Sequence, residues 1–201
     1  MNKIARPIVW VLGFAIALVA IYTAAFGIID EIYQRSITVA VSVILSIFAT
    51  PLAGLYQSDK KHIKAGQWAL DFILIFLMAL SILWFSSVYD ELESGLYSFL
   101  PIDIAVGCGG LIVVIEMTRR CFGTPLAFFA VLTIVYALFG ADLPWIFAHG
   151  GYDLESVMRT VWYSFDGVFG FIVIIVISLI FIFIIFGTVL EATGAGATLL
   201  K

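Results

Sequence analysis

Long apolar runs, separated by short clusters of charged residues, dominate this sequence. The charge-free runs are Pro7–Ile29, Ser36–Ser58, Phe72–Tyr89, Ile104–Ile115, Cys121–Ala141 and Gly167–Leu190. Because an α-helix rises about 1.5 Å per residue, about 20 residues are needed to cross roughly 30 Å of bilayer hydrocarbon. Four of the runs reach that length, and Phe72–Tyr89 does so once Trp68–Asp71 is added. The pattern therefore predicts about six transmembrane helices.

The fourth run, Ile104–Ile115, is too short to cross a bilayer by itself, because it has 12 residues. It spans only if Tyr97–Asp103 and Glu116 lie at the interface or inside the bundle, and the alternative is a re-entrant helix. The last run is rich in residues that favour strands. A lipid-facing strand must belong to a closed barrel of alternating segments, and no run alternates. The predicted fold class is therefore all-α integral membrane.

Composition and charge agree with that fold class and predict an orientation. Apolar residues make up 63% of the chain and charged residues 12%, against roughly 45–50% and 25% on average. Six crossings place eight of the ten basic residues on the side of both termini: Lys3, Arg6, Lys60, Lys61, Lys64, Arg119, Arg120 and Lys201. The other side holds Arg35, Arg159 and these acidic residues: Asp30, Glu31, Asp90, Glu91, Glu93, Asp103, Asp142, Asp153, Glu155 and Asp166. The positive-inside rule then predicts cytoplasmic termini.

Several function classes find no support in the sequence. No stripe of Lys and Arg interleaved with aromatics exists, so no nucleic-acid partner is predicted. No G-x-S-x-G, H-E-x-x-H or intramembrane Asp pair appears, so no enzyme is predicted.

Cys108 and Cys121 would lie about 20 Å apart on one helix, beyond disulfide reach. His62 and His149 fall on opposite sides of the membrane, so no metal site or cofactor is predicted. The net charge of −4 fits either a partner with a basic surface or ordinary solvated loops.

Asp71 is the one acidic residue well inside an apolar stretch, which makes it a functional candidate. It lies about one turn from Gln67 and close to the Lys60–Lys64 cluster, at the same predicted depth as Glu116, Arg119 and Arg120. Glu116 and Arg120 also share a helix face at i, i+4 spacing. A structural ion-pair network of these four residues is the favoured interpretation, and an ion-translocating carboxylate is the alternative.

Small residues mark the fourth predicted helix as a close-packing element. Gly107, Gly109 and Gly110 make it thin, and Ala105 and Gly109 place small residues on one face. Such faces allow helices to approach closely in lipid. Farther along, the stretch Asp142–Phe165 has Trp145, Trp162 and Tyr163 flanking polar residues, which predicts an interfacial amphipathic segment.

From Gly123 onward, short motifs follow one another in a distinctive order. They are Gly123-Thr-Pro-Leu-Ala, Tyr136-Ala-Leu-Phe-Gly140, Leu143-Pro144, His149-Gly-Gly-Tyr152, Asp166-Gly-Val-Phe-Gly170 and Phe186-Gly-Thr-Val-Leu-Glu191-Ala-Thr-Gly-Ala-Gly196. This order resembles the fused permeases of tripartite ATP-independent periplasmic (TRAP) transporters of the TAXI-associated type. One departure is Phe171-Ile-Val-Ile174, where a proline or small residues are expected after Gly170. Residues 1–120 match this family in architecture alone.

The resemblance implies a domain organisation, a location and partners. Residues 1–120 would be the four-helix small unit, and residues 121–201 the first two helices and connecting arm of a large permease unit. The chain would sit in a bacterial inner membrane with a large unit carrying the remaining helices and a periplasmic TAXI-type solute-binding protein. The sodium and substrate sites of the family would lie in re-entrant hairpins beyond Lys201, so no binding residue is carried onto this chain.

Three functions remain open at this point. The first is the membrane scaffold of a binding-protein-dependent, ion-coupled transporter for organic acids or similar small solutes, with sodium as the expected ion. The second is a non-transporting assembly or sensor protein. The third is a truncated relic of a fused permease.

Overall fold

The computed structural model describes residues 5–52 and 61–194, and the described part is helical without strands. We number its helices α1 (Ala5–Phe26), α2 (Glu31–Ala49), α3 (Lys61–Glu93), α4 (Pro101–Phe122), α5 (Thr124–Phe139), α6 (Leu154–Val161) and α7 (Phe171–Ala192). Within α7, Val176–Ile180 forms a π-helical turn. The predictions made for Lys3, Lys60 and Lys201, and for the side chains of Lys61, His62, Lys64 and Trp145, lie outside the described residues.

Six of these helices are long and apolar enough to cross a membrane, namely all except α6. The all-α multi-pass fold class is therefore confirmed. The short run Ile104–Ile115 belongs to the 22-residue helix α4, so it has the length of a span rather than of a half-helix. Helix α7 begins at Phe171, directly after the glycine that ends the Asp166–Gly170 motif.

Apolar side chains cover the outside of the bundle, as lipid contact requires. Trp10, Phe14, Phe76, Phe129 and Phe183 are all more than 60% exposed. Water-soluble monomers rarely expose continuous apolar patches of more than a few hundred Å². The bilayer is therefore the environment that this surface fits.

Helices α2, α3 and α4 pack against one another at the centre of the fold. Helix α1 lies against α2 and against α7, and α5 lies against α4. Gly123, with φ of 93°, is the single residue between α4 and α5. A left-handed φ suits glycine because it has no Cβ, and Pro125 in the first turn of α5 has no backbone N–H to lose there.

Residues 154–170 enter the core instead of lying along the membrane surface. Helix α6 packs against α4 and α5, and the side chains of Val157, Met158, Trp162, Tyr163 and Phe169 are buried. The predicted amphipathic segment is therefore present, but the expectation that Trp162 and Tyr163 face the lipid interface is wrong. The Trp162 ring lies against Gly107 and Gly110 of α4, and the Tyr163 ring packs edge-on against Phe85 of α3.

Candidate functional site

Asp71, Glu116, Arg119 and Arg120 form one charged cluster, which we call the basic-end cluster. Asp71 lies in α3, and the other three residues lie in the last turns of α4. The Nη1 atom of Arg120 is 2.6 Å from Oδ1 of Asp71, and both side chains are at least 98% buried. The Nε atom of Arg120 donates to Oε1 of Glu116 at 2.8 Å. Arg120 thus joins α4 to α3 through Asp71 and is also held by Glu116 of its own helix.

The remaining contacts of the basic-end cluster leave one polar atom without a partner. Arg119 binds both carboxylate oxygens of Glu116, at 2.8 Å each. The backbone N–H of Leu52 donates to Oδ2 of Asp71 at 3.2 Å. In the part of the chain that the structure describes, the buried Nη2 atom of Arg120 has no acceptor. Two cations and two anions balance in charge, so the cluster is suited to holding helices together.

A second buried carboxylate, that of Asp103, lies at the opposite end of α4. Its Oδ1 atom accepts hydrogen bonds from Nε1 of Trp84 at 2.7 Å and from the hydroxyl of Tyr97 at 2.8 Å. Its Oδ2 atom accepts from the backbone N–H of Leu100 at 2.6 Å, which is half of a helix capping box. Asp103 is 0% exposed. Neutral donors and the start of a helix, rather than a cation, therefore stabilise this carboxylate.

Two tyrosines around Asp103 are held in their neutral form. Burial, followed by the hydrogen bond to Asp103, raises the pKa of Tyr97 to about 12. Burial, followed by the charge of Asp103, raises the pKa of Tyr163 well above its ordinary value. Tyr163 donates its hydroxyl to the backbone carbonyl of Asp103 at 2.7 Å. The hydroxyl groups of Tyr97 and Tyr163 thus both act as hydrogen-bond donors at this end of the bundle.

Arg35, which the sequence places on the side opposite the termini, is buried near the start of α2. Its Nη1 atom donates to the backbone carbonyl of Phe169 at 2.8 Å, and its guanidinium carbon lies 3.9 Å from the ring centre of Phe165. It also forms an ion pair with Glu31. Arg35 therefore contacts the segment formed by residues 154–170 at two points, Phe165 and Phe169.

Two of the motifs after Gly123 meet at the end of α5. The backbone N–H groups of His149 and Tyr152 donate to the carbonyls of Gly140 and Ala137. The Nε2 atom of His149 lies 3.0 Å from the carbonyl oxygen of Tyr136, while its Nδ1 atom accepts from the N–H of Gly151. These contacts satisfy carbonyls that a helix end leaves unpaired. The histidine motif thus has a structural role as a helix cap.

A pocket of about 480 Å³ opens beside the acidic residues of α2 and α3. It is lined by Asp30, Glu31, Ile32, Tyr33, Ser86, Tyr89, Asp90 and Glu93.

No group of His, Cys, Asp and Glu side chains in residues 5–52 and 61–194 has an arrangement that could hold a metal ion. Cys108 and Cys121 both lie on α4 and are free thiols.

The four residues singled out in the sequence, Asp71, Glu116, Arg119 and Arg120, lie together in one cluster. The sequence analysis did not predict that Asp103 and Arg35 are also buried polar groups. A signal for Asp103 was available, because it stands three residues after Leu100 at a Pro-initiated helix. No local signal marked Arg35, since its partners Phe165 and Phe169 are about 130 residues away. Comparison with known proteins found no matching family model, curated protein or solved structure.

Proposed function

We propose that this chain is a fixed membrane scaffold of a binding-protein-dependent, ion-coupled secondary transporter of the TRAP type. The proposal starts from the ordered motifs between Gly123 and Gly196, which resemble fused permeases. The remaining helices of the large unit would be supplied either by a continuation of this chain or by a separate polypeptide. A TAXI-type solute-binding protein would deliver an organic acid or a similar small solute.

The observation that carries the proposal is the packing of residues 5–52 and 61–120 against residues 121–194. Arg35 binds the carbonyl of Phe169, Tyr163 binds the carbonyl of Asp103, and α7 packs against α1. A scaffold must stay rigid while a mobile domain moves against it. Buried polar contacts between the two parts favour such rigidity, because each is costly to break away from water.

Charge segregation supports an orientation for the scaffold. The basic-end cluster lies at one end of α4, and the pocket lined by Asp30, Glu31, Asp90 and Glu93 lies between α2 and α3 near the other end. We propose that the basic end faces the cytoplasm, in accordance with the positive-inside rule. The acidic end would then face the compartment of the binding protein.

Reconstitution is the direct test of the proposed function. The chain, the remaining large-unit helices and the binding protein are placed in proteoliposomes, and uptake of labelled organic acids is measured with and without a sodium gradient. We expect uptake only when all three components and the gradient are present. Affinity purification should also recover a second hydrophobic chain or a longer form of this one. If purification recovers neither and no combination moves solute, the assembly or sensor function replaces the transporter function.

A further inference from the structure

We infer that His149 is a pH-sensitive switch in the connection between α5 and α6, and that protonation of its ring releases the backbone of Gly151. The connection runs from the end of α5 at Phe139 to the start of α6 at Leu154. The switch goes beyond the proposed function, because it follows from the contacts of one side chain and not from what the whole chain transports.

The two ring nitrogens of His149 have opposite roles, which determines where its hydrogen lies. The Nδ1 atom accepts from the backbone N–H of Gly151 at 3.0 Å, so it carries no hydrogen of its own. A neutral imidazole then carries its hydrogen on Nε2. The Nε2 atom lies 3.0 Å from the carbonyl oxygen of Tyr136, to which it can donate. Both contacts therefore require the same neutral tautomer.

Protonation of the ring would break one of these contacts and keep the other. An imidazolium ion carries hydrogen on both nitrogens, so Nδ1–H would face the N–H of Gly151 as one donor against another. The Nε2–H group keeps the carbonyl of Tyr136 as its acceptor, and the added charge strengthens that hydrogen bond. The ring should therefore stay on α5 while the turn at Gly151 is released.

The surroundings of the ring allow it to gain a proton from water. His149 is half-buried, and imidazole is the side chain that ordinarily changes charge between about pH 5 and 8. The titratable side chains packed against its ring are Tyr136 of α5 and Tyr152 of the turn. Helix α5 contributes no charged residue. The charged residues of the connection and of the packed helix α6 are Asp142, Asp153, Glu155 and Arg159.

Release of Gly151 would loosen the start of α6. The next residue, Tyr152, donates its backbone N–H to the carbonyl of Ala137 on α5, and Asp153 is the N-cap of α6. Gly151 therefore links the His149 ring to the first residues of that helix. With the proposed orientation, this turn lies on the side of the binding protein, and the switch would respond to the pH of that compartment. This last point alone rests on the proposed function.

Nuclear magnetic resonance of nitrogen-15-labelled histidine tests the ring itself. The chain has two histidines, so His62→Gln leaves His149 as the only imidazole. In detergent micelles we expect the single neutral tautomer with hydrogen on Nε2 at pH 8, and a protonated ring at pH 5. If His62→Gln does not fold, the spectrum of His149→Phe is subtracted from that of the unsubstituted protein. A mixture of neutral tautomers at pH 8, or a ring that stays neutral at pH 5, would overturn the inference.

Residue-resolved hydrogen exchange in the same micelles tests the release, and its result does not depend on orientation or transport. Rates at the two pH values are corrected for the intrinsic effect of pH on each amide. Protection of the Gly151 amide should fall about tenfold at pH 5, as expected for the loss of one hydrogen bond. The amide of His149 donates to the carbonyl of Gly140, and its protection should change less than about twofold, because the ring stays on α5.

His149→Phe is the control for the release, because it keeps a ring but has no nitrogen acceptor. Its Gly151 amide should exchange rapidly at both pH values. Constant protection of Gly151 while the His149 ring is protonated would overturn the switch. A pH-dependent fall of the same size in His149→Phe would overturn it as well, because another group would then be responsible.

Two glycines form a matched pair that tests the position of the ring on α5. An added Cβ at Gly140 would overlap the His149 ring, whereas one at Gly150 would meet nothing within 4 Å. Gly140→Ala should therefore displace the ring from the carbonyl of Tyr136, so that both neutral tautomers appear at pH 8. Gly150→Ala should keep the single tautomer and the pH-dependent release. Equal behaviour of the two variants would overturn the inference, because the ring would then not be held by α5.

Discussion

The two ends of α4 bury opposite charges by different means. Near its start, the carboxylate of Asp103 accepts hydrogen bonds from neutral donors. In its last turn, Arg120 lies between the carboxylates of Asp71 and Glu116. Both positions suit the helix dipole, which favours negative charge at the start and positive charge at the end. The sign of each buried charge thus agrees with the dipole of α4. The groups that stabilise each charge depend on which neighbouring side chains the fold brings to that end of the helix.

Because the two buried charges are stabilised differently, substitutions at the two ends of α4 should lower the stability by different amounts. Removing one member of a buried ion pair leaves the other charge uncompensated in a medium of low dielectric constant, which costs more than losing a neutral hydrogen bond. We therefore expect the basic end to be more sensitive to single substitutions than the acidic end.

The largest effect is expected for Arg120→Gln. This change leaves the buried carboxylate of Asp71 without its cation and should lower the free energy of unfolding by about 3–5 kcal/mol. Unfolding is followed by far-UV circular dichroism in mild detergent with increasing SDS. Arg119→Gln is the matched control and should cost less than about 1 kcal/mol, because the ion pair of Arg119 is partly exposed.

The double variant Asp71→Asn with Arg120→Gln separates loss of the pair from loss of packing. Neutralising both partners should recover more than half of the stability that Arg120→Gln removes, because no buried charge is then left unpaired. Equal losses for Arg120→Gln and Arg119→Gln would contradict the burial of the Asp71–Arg120 pair.

A smaller effect is expected at the acidic end for Asp103→Asn. The amide oxygen can still accept from Trp84 and Tyr97, but the amide nitrogen cannot accept from the N–H of Leu100. Loss of one charged hydrogen bond should cost about 1.5–3 kcal/mol, measured by the same unfolding assay. Asp90→Asn serves as the control, because Asp90 is exposed near the end of α3. Similar losses in both variants would mean that Asp103 is solvated.

The lengths of the hydrophobic runs and the spacing of the charges predicted the features of this fold that depend on residues close together in the sequence. The six long helices follow from apolar runs, and the pairing of Glu116 with Arg120 follows from i, i+4 spacing. The proximity of Asp71 to Arg120 followed from their equal predicted depth.

What the sequence could not predict depends on contacts between distant segments. Trp162 was expected at the lipid interface, because its amphipathic ring and its polar neighbours are typical of that location. Its burial depends on the missing side chains of Gly107 and Gly110, about 50 residues earlier. Glycines in that helix indicated close packing, but not that the packing partner is a connecting segment rather than another spanning helix.

Two tyrosine substitutions should separate the charged acceptor at Asp103 from the neutral one. Tyr97→Phe removes a donor to the carboxylate and should cost about 1.5–3 kcal/mol, whereas Tyr163→Phe removes a donor to a backbone carbonyl and should cost about 0.5–1.5 kcal/mol. Each change is repeated in Asp103→Asn, and the coupling energy is taken from the double-mutant cycle. The cost of Tyr97→Phe should fall in that background, because the acceptor is no longer charged. The cost of Tyr163→Phe should stay constant, because a backbone carbonyl is unaffected by the side-chain change. If both costs fall together, the two tyrosines do not bind two separate acceptors but depend on one shared rearrangement of the loop before α4. The comparison between charged and neutral hydrogen bonds at this end of α4 would then be wrong.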